Sequence, residues 1–385
     1  RLKTYGSVCS LASALRPRKS ALPSMGAWSR KICAEGHWAA TSKGPSWRKA
    51  VSSVVLIAVC LWRLGPPMLG HVSQPLIWRQ TCGRLRRAAC AARPRRKPPC
   101  ADTLTLEQEV KRALRPDWTL QDWEREGFHN MAMPPPLPWA EPCPRVSAAT
   151  PAEDIDFTRP AILTGAVDEW PTGGAAALHQ EALLRDLADI ELIVGSIEKK
   201  GLQSDGEGRL VTTTVSMAVT MPLAEYCEYA VRQADDCPLY VFDDLVFERE
   251  QGAHLKLAYS KLGCFQEDFM SALGDYRPPH RWLLVGARLA GTAMHTDPCQ
   301  TAAWNALVSG AKRWVVFPPT ADASQLLHAD MGDTAAHWLH QHYPSIPESA
   351  GACYDFVQRP GETVFVPNGW WHNVVNLEFS IAVTE

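Results

Sequence analysis

Beyond residue 239 the chain is a succession of short apolar runs, rich in β-branched and aromatic residues and bounded by Gly, Pro or Asn. The clearest are LYVF (239–242), RWLLVG (281–286), TAAWNALV (301–308), KRWVVF (312–317), TVFVP (363–367) and FSIAVT (379–384). Several short strands separated by turn signals, with few helices among them, predict a sandwich or jelly roll. No internal repeat or heptad competes with that reading. Upstream, RPAILTGAVDEW (159–170) predicts a strand and a Gly turn, and LAEYCEYAVR (223–232) an amphipathic helix. The expected class is therefore mainly β, of α+β type, with helical segments towards the N-terminus.

The first hundred residues are of another kind. They hold 19 Lys and Arg against one acid, Glu35, a charge of about +18, whereas the whole chain of 385 residues sums to −2. The rest must then carry about −20. Residues 1–100 are rich in Arg, Ser, Ala and Pro and lack hydrophobic periodicity, so they read as a disordered or targeting arm, outside the fold. Within them, VSSVVLIAVCLW (51–62) is apolar but shorter than the roughly 20 residues a bilayer requires. It suits a signal-type or transit segment, or a stretch that is not translated. Residues 101–150 read as a helical lead-in (104–127, broken at Pro116) and a Pro-rich linker (133–144), and residues 151–385 as the catalytic domain. With Arg1 first, Met25 the first methionine and Glu385 closing a strand-like run, the sequence reads as a fragment or an uncertain gene model.

An acidic body disfavours nucleic acid, whose phosphates want Lys and Arg. It favours a basic peptide, because a field of one sign concentrates partners of the other. The 12 cysteines include no Cys-x-x-Cys pair. Cys143, Cys227, Cys237, Cys264, Cys299 and Cys353 read as reduced, buried small hydrophobes, as in a reducing compartment.

In MHTDPCQTAAWNAL, His295 and Asp297 are two residues apart, so on a strand both project from one face. His372, in VPNGWWHNVVN, is the leading candidate for a third ligand. Two imidazoles and one carboxylate on one face of an octahedral ion make a facial triad, which leaves three positions for a bidentate keto acid and dioxygen. Lys312 follows a tight Ser309-Gly310-Ala311 turn, so the flanking strands are expected to form a hairpin. A Lys pointing into a barrel needs an anion, and a dicarboxylate cosubstrate supplies one. His328, His337, His340 and His342 read as surface histidines, since no Cys or acid completes a second metal set.

The order TAMHTDP, TAAWNALVSGAKRWVVFPP and RPGETVFVPNGWWHNVVNLEFSIAVT resembles the Jumonji-C oxygenases, and within them the subgroup named bifunctional arginine demethylase and lysyl hydroxylase. The resemblance runs over roughly residues 155–385, is specific across 281–317 and 358–384, and is loose across 171–235. It implies a double-stranded β-helix, a cupin-like jelly roll, with Fe(II) in its mouth. It places the iron ligands on His295, Asp297 and His372, and the 2-oxoglutarate contacts on Lys312, Asn305, Thr384 and Tyr240, with Thr292 as a neighbour. Lys312 would pair with the distal carboxylate, the Thr384 and Tyr240 hydroxyls would hydrogen-bond to it, and Asn305 would orient the metal-proximal end. Trp304, Trp314, Trp370 and Trp371 are expected to pack the barrel walls.

The implied activity uses Fe(II), 2-oxoglutarate and dioxygen to hydroxylate lysyl or demethylate N-methylarginyl side chains of a Lys/Arg-rich protein. Two other readings stand beside it: a catalytically silent jelly-roll module that binds a peptide, and a zinc hydrolase on the same ligands. Intact His295, Asp297, His372 and Lys312 argue against the first, and the Lys312–Asn305 pair against the second. The chain stops one residue after Thr384, where the subgroup continues into helices that support self-association, so a homodimer is an expectation from the resemblance alone. The nucleus or cytoplasm is the expected compartment, with organelle or secretory targeting by the basic arm left open.

Overall fold

The computed structural model describes residues 2–4 and 104–385, apart from 172, 205–209, 266, 267 and 328–333. Nearly all of the basic arm, including the apolar run at 51–62, and His328 lie outside the described residues.

Thr105 opens the lead-in with a capping box. Its hydroxyl accepts from the Gln108 amide at 3.2 Å, and the Gln108 side chain accepts from the Thr105 amide at 3.0 Å. The helix Leu106–Leu114 stops ahead of Pro116, whose ring disfavours the helical conformation of the residue before it. Polar side chains pin this segment to the body. Lys111, on the buried side of the helix, pairs with fully buried Asp235 at 2.8 Å, and Asp235 also accepts from the Tyr229 hydroxyl at 2.6 Å. Asp236 accepts the main-chain N–H groups of Glu126, Gly127 and Phe128 at 2.6, 3.2 and 2.7 Å.

The strands are β1 (Leu2–Thr4), β2 (Arg145–Ser147), β3 (Ala161–Thr164), β4 (Glu191–Ser204), β5 (Leu210–Pro222), β6 (Tyr240–Asp243) and β7 (Trp282–Gly286). They continue with β8 (Gly291–His295), β9 (Ala303–Ser309), β10 (Lys312–Phe317), β11 (Tyr354–Gln358), β12 (Thr363–Val366), β13 (Trp371–Asn376) and β14 (Ser380–Thr384). A four-stranded sheet runs β11-β10-β13-β8, and a seven-stranded sheet runs β2-β3-β12-β9-β14-β7-β6. From β7 to β10 each strand lies in the sheet its predecessor does not, and β12, β13 and β14 alternate again. That exchange is what a jelly roll requires. All six runs read from the sequence beyond residue 239 are strands, and the helix at Leu223–Arg232 falls where its periodicity places it.

The hairpin expected from β9 and β10 does not form. β9 pairs with β12 and β14, β10 with β11 and β13, and the turn between them crosses from one sheet to the other. Gly310 makes this turn at φ 87, and a Cβ there would come within 2.3 Å of the Phe379 carbonyl. The structure also adds a long pair, β4 with β5, in the region where the resemblance is loose.

Period-2 alternation separates the two faces of each sheet. Ile162, Val364 and Val366 from one sheet meet Trp314, Val316, Phe356 and Val374 from the other, with Trp370 from the turn before β13, which makes the inner core. The outer face of the large sheet (Val241, Leu283, Val285, Ala306, Val308, Ile381, Val383) packs on the helical segments. Of the four tryptophans expected in the walls, Trp314 and Trp370 face inward. Trp304 belongs to the outer cluster against Tyr259 and Phe265, and Trp371 packs on the outer face of the small sheet. One-residue differences in strand phase account for the split.

The small sheet's outer face is covered by the insertion between β10 and β11. Arg313 grips Asp355 through two bonds of 2.9 and 2.6 Å, Asp355 also accepts from the Tyr343 hydroxyl, and Tyr343 in turn accepts from the Leu137 amide at 3.0 Å. Arg313 also donates to the Pro134 carbonyl, which straps the Pro-rich linker to the sheet. His337 and His340 are half-buried here around Phe128, with His340 stacked on its ring at 4.7 Å. They are packing residues, neither fully exposed nor part of a metal set.

Candidate metal centre

β8 and β13 are neighbours in the small sheet, and their register sets His295 directly opposite His372. The ladder shifts between His372 and Val374, a bulge that breaks the pairing beside the ligand. The imidazole rings lie 4.2 Å apart between centroids. Asp297 is not on the strand, as the same-face argument assumed: β8 ends at His295, and Asp297 sits extended (φ −63, ψ 140) ahead of the turn Pro298–Gln300. It reaches the same point, with Oδ1 4.0 Å from His295 Nε2 and 3.9 Å from His372 Nε2. One donor atom from each of the three residues lies within 4.8 Å of the others, the one group of this kind among the described residues.

The outward ring nitrogens are engaged. His295 Nδ1 is 2.7 Å from the Ala293 carbonyl and His372 Nδ1 is 3.1 Å from the Trp370 carbonyl. A carbonyl only accepts, so each Nδ1 is the donor there and each Nε2 is the nitrogen turned towards the cluster. Burial, and then the neighbouring His372, hold His295 well below the usual imidazole range, which keeps it neutral and ligating. Asp297 Oδ2 is buried without a hydrogen-bond partner among the described residues. Two imidazoles and a carboxylate whose second oxygen has no partner among the described residues fit a divalent transition metal.

Lys312 lies behind this point, 1% exposed. Its ammonium donates to the Tyr240 hydroxyl at 3.0 Å and has no described carboxylate within ion-pair reach. Burial alone pulls its pKa from 10.5 to about 7 and pushes the Tyr240 phenol up. Asn305, on β9, is buried with its side-chain oxygen unpartnered among the described residues. Thr384, its register partner on β14, donates its hydroxyl to the Trp304 carbonyl at 2.6 Å, which leaves only the oxygen's acceptor capacity free. Thr292 stands opposite Val374 near the β8–β13 bulge. Of the expected diacid contacts, the structure thus joins Lys312 to Tyr240 directly and leaves Asn305 unsatisfied.

Residues 282–385 match the profile of the JmjC domain, hydroxylase. That stretch contains all three ligand candidates, together with Lys312, Asn305 and Thr384. The bifunctional arginine demethylase and lysyl-hydroxylase psr-1 of Caenorhabditis briggsae is 34% identical over 295 residues, 71% of this chain and 68% of that protein. The chain belongs to the JmjC hydroxylase family. The Caenorhabditis elegans psr-1 is 33% identical over the same shares of both proteins, and the arginine-specific demethylase JMJ22 of Arabidopsis thaliana is 31% identical over 59% of this chain and 41% of its own length.

Two features of this JmjC centre escaped the sequence reading. Asn376 lies on the same inward phase of β13 as His372, and its only signal was a second polar residue four positions after the ligand candidate. The other is the turn after Asp297, where Cys299 and Gln300 adopt φ 58 and 55 and are both exposed. Neither residue type favours that conformation, so nothing in the sequence announced it. The Gln300 side chain rests by Gly369, its Oε1 3.3 Å from where a Cβ would stand, which links the Asp297 turn to the segment leading into His372. Gln300→Gly is expected to remove the left-handed strain and stabilise the protein by about 1 kcal/mol in denaturant titration. A loss of stability would mean that the contact with Gly369 outweighs the strain.

Proposed function

We propose that this chain is an Fe(II)- and 2-oxoglutarate-dependent oxygenase that hydroxylates lysyl side chains, demethylates N-methylarginyl side chains, or does both, on a basic protein. One observation carries the reading: a His-Asp-His cluster with converging donor atoms stands in the same barrel as a buried lysine that lacks an anionic partner among the described residues. The names of the psr-1 relatives, and of the mouse 2-oxoglutarate and iron-dependent oxygenase JMJD4, 30% identical over 31% of this chain, support it.

Fe(II) held by His295, Asp297 and His372 would supply, with dioxygen, the oxidative decarboxylation of 2-oxoglutarate to succinate and carbon dioxide coupled to insertion of the other oxygen atom into a substrate C–H bond. The protein's part is binding and orientation. His295 and His372 present Nε2, fixed by their Nδ1–H bonds to main-chain carbonyls, and Asp297 adds the negative charge that favours a divalent cation. Lys312 and the Tyr240 hydroxyl hold the distal carboxylate, and Asn305 offers its amide towards the proximal end. The stacked wall of Trp314 against His372, at 6.0 Å, keeps water from one side of the centre. On lysine the product is a stable alcohol. On N-methylarginine it is a hydroxymethyl group that loses formaldehyde and returns the N–H.

The body's charge of about −20 supports a cationic substrate. Succinate release from purified protein with Fe(II), ascorbate and 2-oxoglutarate, stimulated by Lys- or Arg-rich peptides, is the expected result. Mass spectrometry of those peptides separates the chemistries: one added oxygen on lysine, or loss of a methyl from arginine. Peptide binding without iron-dependent succinate release would favour the silent module, and turnover with zinc alone the hydrolase.

A further inference from the structure

Asn376 is fully buried, yet neither its side-chain nitrogen nor its oxygen has a hydrogen-bond partner among the described residues. Native interiors seldom leave an amide so. Its position indicates what the partner is. On β13 it stands directly opposite Lys312 of β10. A Cβ on Gly286 would fall 2.0 Å from Asn376 Nδ2 and 2.7 Å from Tyr240 Cε2, so the amide reaches across from the small sheet to the large one and ends beside the ring of Tyr240, whose hydroxyl accepts from Lys312. Gly286 is itself the register partner of Tyr240 and of Ser380, so the gap it leaves lies within the barrel's own ladder. An ammonium, a phenol and the two N–H groups of one amide gather there without a carboxylate among the described residues. That set of donors matches an acceptor-only group.

Building on the oxygenase reading, we propose that Asn376 donates its side-chain N–H to the distal carboxylate of the diacid cosubstrate beside Lys312, and that Gly286 lacks a side chain so that this amide has room. Asn376 is then a cosubstrate-binding residue, kept for the ligand and not for stability.

Calorimetry on Mn(II)-loaded protein, which binds without turning over, tests this with two ligands: 2-oxoglutarate, and 2-oxobutyrate, which keeps the keto acid but lacks the distal carboxylate. Asn376→Ala is expected to weaken 2-oxoglutarate roughly 10- to 100-fold, the range for losing one hydrogen bond to a charged group, and to change 2-oxobutyrate by less than about twofold. In the Fe(II) enzyme the KM for 2-oxoglutarate should rise by a similar factor with kcat nearly unchanged. The near-isosteric Asn376→Leu should melt, without cosubstrate, no lower than the parent, because an unsatisfied amide has been removed. Gly286→Ala should weaken 2-oxoglutarate in the same way.

Equal losses for both ligands, or a lower melting temperature of the cosubstrate-free Leu variant, would assign Asn376 a structural role and overturn the proposal. So would unchanged 2-oxoglutarate binding in the Ala variant. If the parent itself binds no 2-oxoglutarate, the oxygenase reading fails first and takes this one with it.

Discussion

His372→Ala is expected to cut iron-dependent succinate release at least ~10³-fold while the protein stays folded. Loss of a residue that merely orients a metal ligand costs 10- to 100-fold, and a direct ligand should cost more. Only His295 and Asp297 would remain, and two ligands leave the ion free to tumble among geometries. The fold should survive because the neighbours of His372 are held independently. β13 pairs with β10 along its whole length, and Trp314 is anchored by its own hydrogen bond to Gln358 at 2.9 Å. The check is a pair of measurements: Fe(II) or Co(II) binding, which should collapse, and thermal unfolding, which should move by only a few degrees. Residual turnover above a tenth of the parent's would remove His372 from the ligand set.

Lys312→Met is expected to act in two opposite directions. Cosubstrate affinity should fall roughly 10²- to 10³-fold, about 3–4 kcal/mol, because the distal carboxylate would be buried without its cation. The cosubstrate-free protein should become more stable near neutral pH, since a buried ammonium gives way to an apolar chain of similar length. The parent's pH dependence follows from the depressed pKa. Between about 7 and 10.5 the unfolded chain carries a proton on this lysine that the folded chain does not, so stability rises with pH through that window. Below about 7 both states are protonated and the burial cost is felt in full. The diacid needs the charged form, so above about pH 7 its binding takes up a proton and its affinity falls, by up to tenfold per unit. In the Met variant both slopes should disappear. A variant that keeps the parent's affinity and pH slope would show that Lys312 does not hold the diacid.

The strands were legible because their signal is local. KRWVVF, TVFVP and FSIAVT are too short and too β-branched to be helices, and the turns between them carry Gly, Pro and Asn. The His-x-Asp pair and His372 were legible because the chemistry demands those residue types and the neighbouring motifs resemble a known family. Which strand pairs with which was not local. The Ser309-Gly310-Ala311 turn looks like a hairpin turn, and only the presence of two sheets competing for β9 and β10 sends it across the barrel.

Sequence by itself thus determined most of the strand runs, the family and the candidate ligand types, all properties of residue type and near-neighbour spacing. Tertiary structure alone decided that His295 faces His372 across a ladder, that Trp304 turns away from the barrel while Trp314 lines it, and that Asn376 ends beside the Tyr240 ring opposite Lys312. Those outcomes depend on register and sheet partner. A shift of one residue reverses which face a side chain occupies, and that choice is made by burial summed over the whole sandwich rather than by any residue's neighbours in the chain.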